Sequence, residues 1–230
     1  MKFPHDPQYN AAFDQIPNLS WYPYVGTNYS KSKKRLLVFA HNIPVKPEKY
    51  EAEVKRCSPK THWTNAIEEF AYEQAKYTNA FRYFTKAAVG LDENYGYNSE
   101  KETKDQVDTF LQGIAYTNYI QSLVKSDSKS AVATHEQIEK SKSINKALLK
   151  ILAPTHCICW GRHVFDYLRQ TEGFKSEQPV SCKLRGFATT KLLTPEGKTI
   201  KLLKVFHPSM PGFDSKSPET RHIISSFLEG

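Results

Sequence analysis

The strongest constraint on this chain is a set of short, nearly unbroken apolar runs, each stopped by a polar or turn-forming residue. Arg35-Leu-Leu-Val-Phe-Ala40 runs into His41-Asn42 and then Pro44. Ile114-Ala-Tyr-Thr ends at Asn118, and His156-Cys-Ile-Cys-Trp160 ends at Gly161. Ile200-Lys-Leu-Leu-Lys-Val-Phe206 ends at His207-Pro208-Ser209. Runs of this length without strict alternation suit strands buried on both faces, the pattern of a parallel sheet covered by helices.

Helical patterns lie between the runs. Pro47-Glu48 opens a short helix reaching Arg56. Residues 62–90 read as helical, with Ile67, Phe70 and Ala71 on one face and Phe81, Phe84 and Ala87 on another. Residues 92–105 are polar and read as a loop, as does the serine-rich stretch 122–130. Thr134-His-Glu-Gln137 is a capping box opening a helix through Ile138, Ile144, Leu148 and Ile151, which Pro154 stops. Val164, Phe165 and Leu168 mark another helix. Ser217-Pro218-Glu219 caps a last one carrying Ile223, Ile224 and Phe227. Thr194-Pro195-Glu196-Gly197 fits a type I turn joining two strand-like runs between 180 and 206. The expected fold is α/β: a three-layer α/β/α sandwich around a central, mostly parallel sheet of about four strands, plus a β-hairpin before the last strand. One domain over residues 1–230 is expected, with residues 1–20 as an N-terminal extension.

The chain has 230 residues and a formal charge of +8. A basic balance favours polyanionic partners. No window approaches ~18 consecutive apolar residues, so no membrane span is expected, and a cytoplasmic protein is the default. The four cysteines, Cys57, Cys157, Cys159 and Cys182, have neither zinc-knuckle nor iron–sulfur spacing, and reduced thiols are expected. No cofactor is expected. Metal binding by His41 and His207 is disfavoured, because two imidazoles without a nearby carboxylate make a poor donor set. A monomer is the default.

In open parallel sheets, ligands bind beyond the carboxyl ends of the strands. His41-Asn42, Asn118 and His207-Pro208-Ser209 all occupy such ends. Together they resemble the uracil-DNA glycosylase superfamily. There the first strand ends in a Gly-x-Asn/Asp-Pro motif, a middle strand ends in an Asn that reads the flipped base, and the last ends in His-Pro-Ser with a loop that wedges into DNA. Residues 21–29, Asn118-Tyr119-Ile120-Gln121, and Ala153-Pro154 through Trp160-Gly161 are also similar to a bacterial branch of that superfamily, so the resemblance covers most of the chain from about residue 20.

The resemblance implies a monofunctional DNA glycosylase that hydrolyses the N-glycosidic bond of uracil or a modified pyrimidine flipped out of DNA. His207 would stabilise the departing base and Asn42 would hold the attacking water. Asn118 would read the base edge, with His41, Ala40, Pro44, Tyr119 and Ser209 around it. Met210, Pro211, Gly212 and Phe213 would form the wedge. Lys31, Lys33, Lys34 and Arg35 are candidates for phosphate contacts. Tyr24, Tyr29 and Tyr50 are candidates for stacking on the flipped base. Two departures stand out: Ala40 replaces the motif glycine, and the proline comes one residue late, at Pro44. They support an alternative, a catalytically weak or inactive DNA- or base-binding module of the same fold. An α/β hydrolase with no DNA role is a third reading.

Overall fold

The four apolar runs become four adjacent parallel strands. A computed structural model describes residues 5–57, 67, 71–72, 78–93, 95–96, 98–127 and 131–230. Strands β2 (Leu36–Ala40), β4 (Ile114–Asn118), β6 (His156–Trp160) and β10 (Thr199–Val205) lie in the order β4-β2-β6-β10. Each of these neighbours runs parallel to the next. The full sheet has eight strands rather than about four. The additions are antiparallel: β1 (Tyr24–Val25) beside β4 at one edge, and β9 (Ala188–Leu193) beside β10 at the other. Two further strands, β7 (Lys175–Ser176) and β8 (Val180–Ser181), pair with β9. They are two residues each and mostly exposed, too short for sequence patterning to reveal.

The expected hairpin is present as β9 and β10, with the Gly197 N–H donating to the Thr194 carbonyl across the turn (2.9 Å). It does not precede the last strand, because its second arm is the last strand and pairs in parallel with β6 on its other side.

Residues along each strand divide between two buried clusters, one per face of the sheet. Leu36, Val38 and Ala40 join one cluster, and Leu37 and Phe39 the other. On the first face lie α3 (Asn79–Val89), α4 (Lys101–Gln112) and α7 (Pro218–Glu229), through Phe81, Phe84, Val107, Leu111 and Ile224. On the second lie α1 (Asn10–Asp14), α5 (His135–Leu152) and α6 (Arg162–Arg169), through Phe13, Leu148, Val164, Phe165 and Leu168. Burial on both faces is why the central strands read as continuous apolar runs. Cys157 and Cys159, two apart on β6, share the second face and are free thiols. Among the described residues, no helix is long and apolar enough to cross a membrane.

Several local expectations hold. The capping box at Thr134 and Gln137 is formed, with α5 ending at a left-handed Ala153 just before Pro154. Ser217 caps α7 with Pro218 at its first position. Pro47 opens a 3-10 turn that leads into α2 (Tyr50–Cys57). Phe81, Phe84 and Ala87 are buried on α3, whereas Phe70 lies outside the described residues.

Other expectations are corrected. Helix α4 begins at Lys101, inside the stretch read as a loop, because only Val107 and Leu111 of its twelve residues are buried and the apolar face is correspondingly faint. β3 (Ile43–Val45) and β5 (Leu123–Lys125) form a small parallel pair where loops were expected. Over their described part, residues 1–20 pack on the rest of the chain: Phe13, Ile16 and Leu19 are buried, and α1 packs against α5.

Candidate functional site

Among the parallel strands the chain begins at β2, adds β4 on one side, then crosses to add β6 on the other. Connections leaving β2 and β6 therefore diverge, which opens a crevice at the carboxyl ends of those strands. Ala40 pairs with Asn118 across β2 and β4, and Trp160 pairs with Val205 across β6 and β10. The backbone ladder continues past the strand ends, as Tyr119 N–H donates to the Ala40 carbonyl (2.8 Å) and Ile120 N–H to the His41 carbonyl (2.9 Å). These bonds hold the 40–42 turn against the end of β4.

Side-chain alternation sorts the candidates into two groups. Asn118 shares the face of Tyr116, two residues before it, and the Tyr116 ring lies 5.5 Å from that of Trp160. His207 meets the same Trp160 edge to face, with ring centroids 5.7 Å apart. Asn118 is buried at 2 % exposure. Its backbone carbonyl accepts from Gln121 Nε2 (2.7 Å), while its side-chain amide has no partner among the described residues and is not sealed from solvent. One donor and one acceptor are thus presented at the strand end.

His207 is half-buried and Ser209 meets its Nδ1 twice. The Ser209 hydroxyl lies 2.8 Å from Nδ1, a hydrogen bond in which either group can donate, and the Ser209 backbone N–H approaches the same nitrogen at 3.3 Å. In the tautomer in which Nδ1 accepts that backbone N–H, the neutral ring bears its hydrogen on Nε2. Burial pushes the His207 pKa below its ordinary 6.5 and favours this neutral form. The loop behind it is a pair of tight turns, with Met210 N–H to the His207 carbonyl (2.8 Å) and Phe213 N–H to the Met210 carbonyl (2.9 Å). Gly212 is required there: a Cβ would lie 2.8 Å from the Phe206 ring.

Asn42 is anchored by its amide, which donates to the Ala131 carbonyl (2.8 Å). That bond points the Oδ1 carbonyl away from Ala131, and among the described residues nothing donates to it.

His41 and Tyr119 project to the other face. His41 stacks on His163 (5.4 Å, 24°), and both lie near the ring of Tyr167 on α6. Burial, then the charges of His163 and His207, lower the His41 pKa to about 4. Its Nε2 is buried without a partner. Tyr119 is 1 % exposed and packs between Phe39 and Tyr167, so it does not flank the Asn118 amide.

The structure moves other candidates away from the strand ends. Pro44 is exposed within β3, opposite Val124, and does not line the turn at Asn42. Phe213 is turned inward, stacked on Phe187 at 6.4 Å, which leaves Met210 (56 % exposed) as the presented apolar residue of the loop; Ser209, Pro211 and Gly212 are exposed beside it. Tyr24 and Tyr29 are fully buried and bond the Leu111 and Leu152 carbonyls, so they are core residues and not stacking platforms. Tyr50 lies under the Lys125 ammonium, 4.3 Å from its ring centre.

Lys31, Lys33, Lys34 and Arg35 precede β2, at the end of the sheet opposite the crevice. The five-residue strand alone separates them from it by roughly 16 Å. Arg35 Nε donates to the Ala153 carbonyl (2.8 Å) and Lys34 bonds the Glu229 carbonyl, so both satisfy carbonyls at helix C-termini. Among the described residues no cluster of three or more His, Cys, Asp or Glu side chains could hold a metal.

Sequence reading passed over Trp160 as a site wall and missed the His163–Tyr167 pair. The first ends a recognisable strand. The second has no sequence signal, because its meeting with His41 depends on β6 lying beside β2.

Compared with known proteins, the chain matches no family model and no curated protein.

Buried neutral imidazoles also set an acid limit on stability. His156, 4 % exposed in β6, has its pKa lowered to about 4 by burial and then by Lys201 and Lys34. With His41 it stays neutral in the folded protein, whereas in the unfolded chain both take up protons below about 6.5. Their folded pKa values are depressed, so the unfolded state binds more protons in that window and stability falls as pH drops from 6.5 towards 4. Urea midpoints measured across this range are expected to decline, and His156→Leu is expected to remove part of the slope. An unchanged slope in that variant would assign the decline to other groups.

Proposed function

We propose that this chain is a three-layer α/β/α protein of the uracil-DNA glycosylase type, a monofunctional enzyme that hydrolyses the N-glycosidic bond of uracil or a modified pyrimidine flipped out of DNA. The observation that carries this reading is the pairing of two groups on one face of the sheet end. One is a neutral His207 with its Nε2–H free to donate; the other is an unpartnered Asn118 amide, with Trp160 and Tyr116 forming an apolar wall between them.

The chemistry suits that pair. Water adds to the sugar C1′ as the C1′–N1 bond breaks, and the bonding electrons leave with the base as an anion. Negative charge then collects on the base carbonyl beside N1. An N–H donor already oriented by Ser209 stabilises that charge without reorganising, a contribution of about 3 kcal/mol. Asn118 supplies an acceptor for N3–H and a donor for O4 of a uracil-type edge. Asn42 positions the water through Oδ1; an amide is too weak a base to deprotonate it strongly, so the water gives up its proton only as the oxocarbenium-like sugar is captured, and that proton ends on the departed base anion through solvent. Met210 is the apolar side chain available to fill the vacated stack. No Lys nucleophile stands at these positions, so strand cleavage is not part of the proposal.

A second reading is a DNA- or base-binding module without cleavage. It is favoured by the Ala40 methyl beside Asn118 and by the displacement of Pro44 into β3. A panel of oligonucleotides carrying uracil, hydroxymethyluracil, hypoxanthine, mismatched thymine or hypermodified cytosine separates the two. Alkali-revealed abasic sites from one of these bases support the enzyme. Salt-dependent DNA binding with every base left intact supports the module.

A further inference from the structure

A duplex docked at the crevice meets the carboxyl ends of the parallel strands, whereas the basic run before β2 lies at their amino ends. Cations for its phosphates therefore have to come from other segments. The turn between β8 and β9, Cys182-Lys183-Leu184-Arg185-Gly186-Phe187, supplies two. Ala188, the first residue of β9, pairs with Lys204, one residue before the end of β10, so this turn stands at the crevice end of the sheet.

The turn is fixed to the His207 loop. Cys182 N–H donates to the Phe187 carbonyl (3.0 Å), and Phe187 N–H donates to the Leu184 carbonyl (3.1 Å). The Phe187 ring meets that of Phe206 at 6.1 Å and stacks on Phe213 at 6.4 Å. Gly186 has a φ of +88°, and a Cβ there would overlap the Phe206 ring, just as one on Gly212 would crowd it. The turn and the loop that carries Met210 therefore share a support, the side chain of the residue immediately before His207.

Cys182 and Leu184 pack against the core of the first face, and Lys183 and Arg185, alternating with them, are exposed. Neither cation has a partner among the described residues. Acids on the adjoining segments are engaged elsewhere. Glu177 faces Lys191 (3.8 Å), Asp214 accepts from the Lys216 backbone N–H (2.9 Å), and Glu219 accepts from the Ser217 hydroxyl (2.7 Å). Two uncompensated cations on a turn of fixed backbone suit a phosphate, and the planar guanidinium of Arg185 can meet two of its oxygens.

We propose that Lys183 and Arg185 grip the DNA backbone beside the flipped nucleotide, while Met210 on the neighbouring loop enters the stack. This inference rests on the reading that the chain engages DNA at the crevice; it does not require cleavage.

Fluorescence anisotropy with an end-labelled duplex containing one tetrahydrofuran abasic analogue, which has no base to release, tests the assignment across a salt series. Lys183→Gln combined with Arg185→Gln is compared with Lys31→Gln combined with Lys33→Gln, which removes the same charge at the opposite end of the sheet. The first pair is expected to make the slope of log K against log salt shallower by about 2. The parental advantage over it then shrinks by about tenfold between about 50 and about 200 mM salt. The second pair is expected to keep the parental slope. Unfolding curves confirm that each variant is folded. A parental slope in the first pair, or equal losses in both pairs, would overturn the assignment while leaving DNA binding intact. No binding of the duplex by the parental protein at low salt would remove both this inference and the DNA reading on which it rests. A shallower slope in the first pair alone, in a protein that releases no base from any oligonucleotide, would leave this inference standing and remove the glycosylase reading.

Discussion

His207→Ala is expected to lower the rate of base release by roughly 10²–10³-fold, the cost of removing one preorganised donor from a charge-developing site. The loss should fall on the chemical step, because the donor is needed most where the base carries negative charge; DNA affinity should change little. The fold should survive: His207 sits in the loop beyond β10, half-buried, and its hydrogen bonds from Ser209 are local. Single-turnover cleavage of the base identified by the panel, with binding to an uncleavable duplex in parallel, makes the measurement. A variant that cleaves at the parental rate would remove His207 from catalysis and, with it, the main support for the enzyme. The pH profile offers a related check. Burial lowers the His207 pKa, so any fall in rate caused by protonating the ring is expected at a lower pH than for a free imidazole.

Trp160→Ala should produce the largest loss of stability among single changes at the site, about 3–5 kcal/mol. Trp160 is 2 % exposed, and its ring meets Phe84 at 5.3 Å, Tyr116 at 5.5 Å and Phe81 at 6.2 Å. These side chains come from α3 and β4, elements that cannot close on the vacated volume together without shifting the sheet end. The same deletion removes the wall against which His207 rests. Urea unfolding should show the midpoint falling sharply, and base release should fall further than instability alone predicts, because His207 loses its lateral support. A destabilisation below about 1 kcal/mol would mean that the site collapses around the gap, and that Trp160 is not the wall described here.

The residues at the strand ends were legible because strand termination is a local property. Proline, glycine and polar side chains stop an apolar run wherever it lies in the fold. His207, Asn118 and Asn42 were found that way, as were the caps at Thr134 and Ser217 and the turn at Thr194. Failures came where the signal is not local. Helix α4 carries two buried residues among charged ones, so its helical face barely shows. β3 and β5 are three residues each and exist because they meet one another. Tyr24 and Tyr29 were candidates for stacking on a base, yet their hydroxyls find backbone carbonyls inside the core.

The basic run before β2 illustrates the same limit. A local cluster of four cations looks like a phosphate contact, but the direction of β2 places it at the amino ends of the strands. There Lys34 and Arg35 bond carbonyls at the ends of α7 and α5. Phe213 is a similar case: an apolar residue in a loop reads as exposed until Phe187 is brought beneath it.

By itself the sequence determined that four buried strands alternate with helices, and which polar residues stand at their ends. Burial on both faces writes itself into each strand as an apolar run, one segment at a time. Only the tertiary structure decided which strands are neighbours. The hydrogen bonds that pair parallel strands join backbone groups common to nearly every residue type, so they carry little record in the sequence. That choice set the crevice between β2 and β6, sent Asn118 and His207 to one face with Trp160, and sent His41 to the other with His163 and Tyr167.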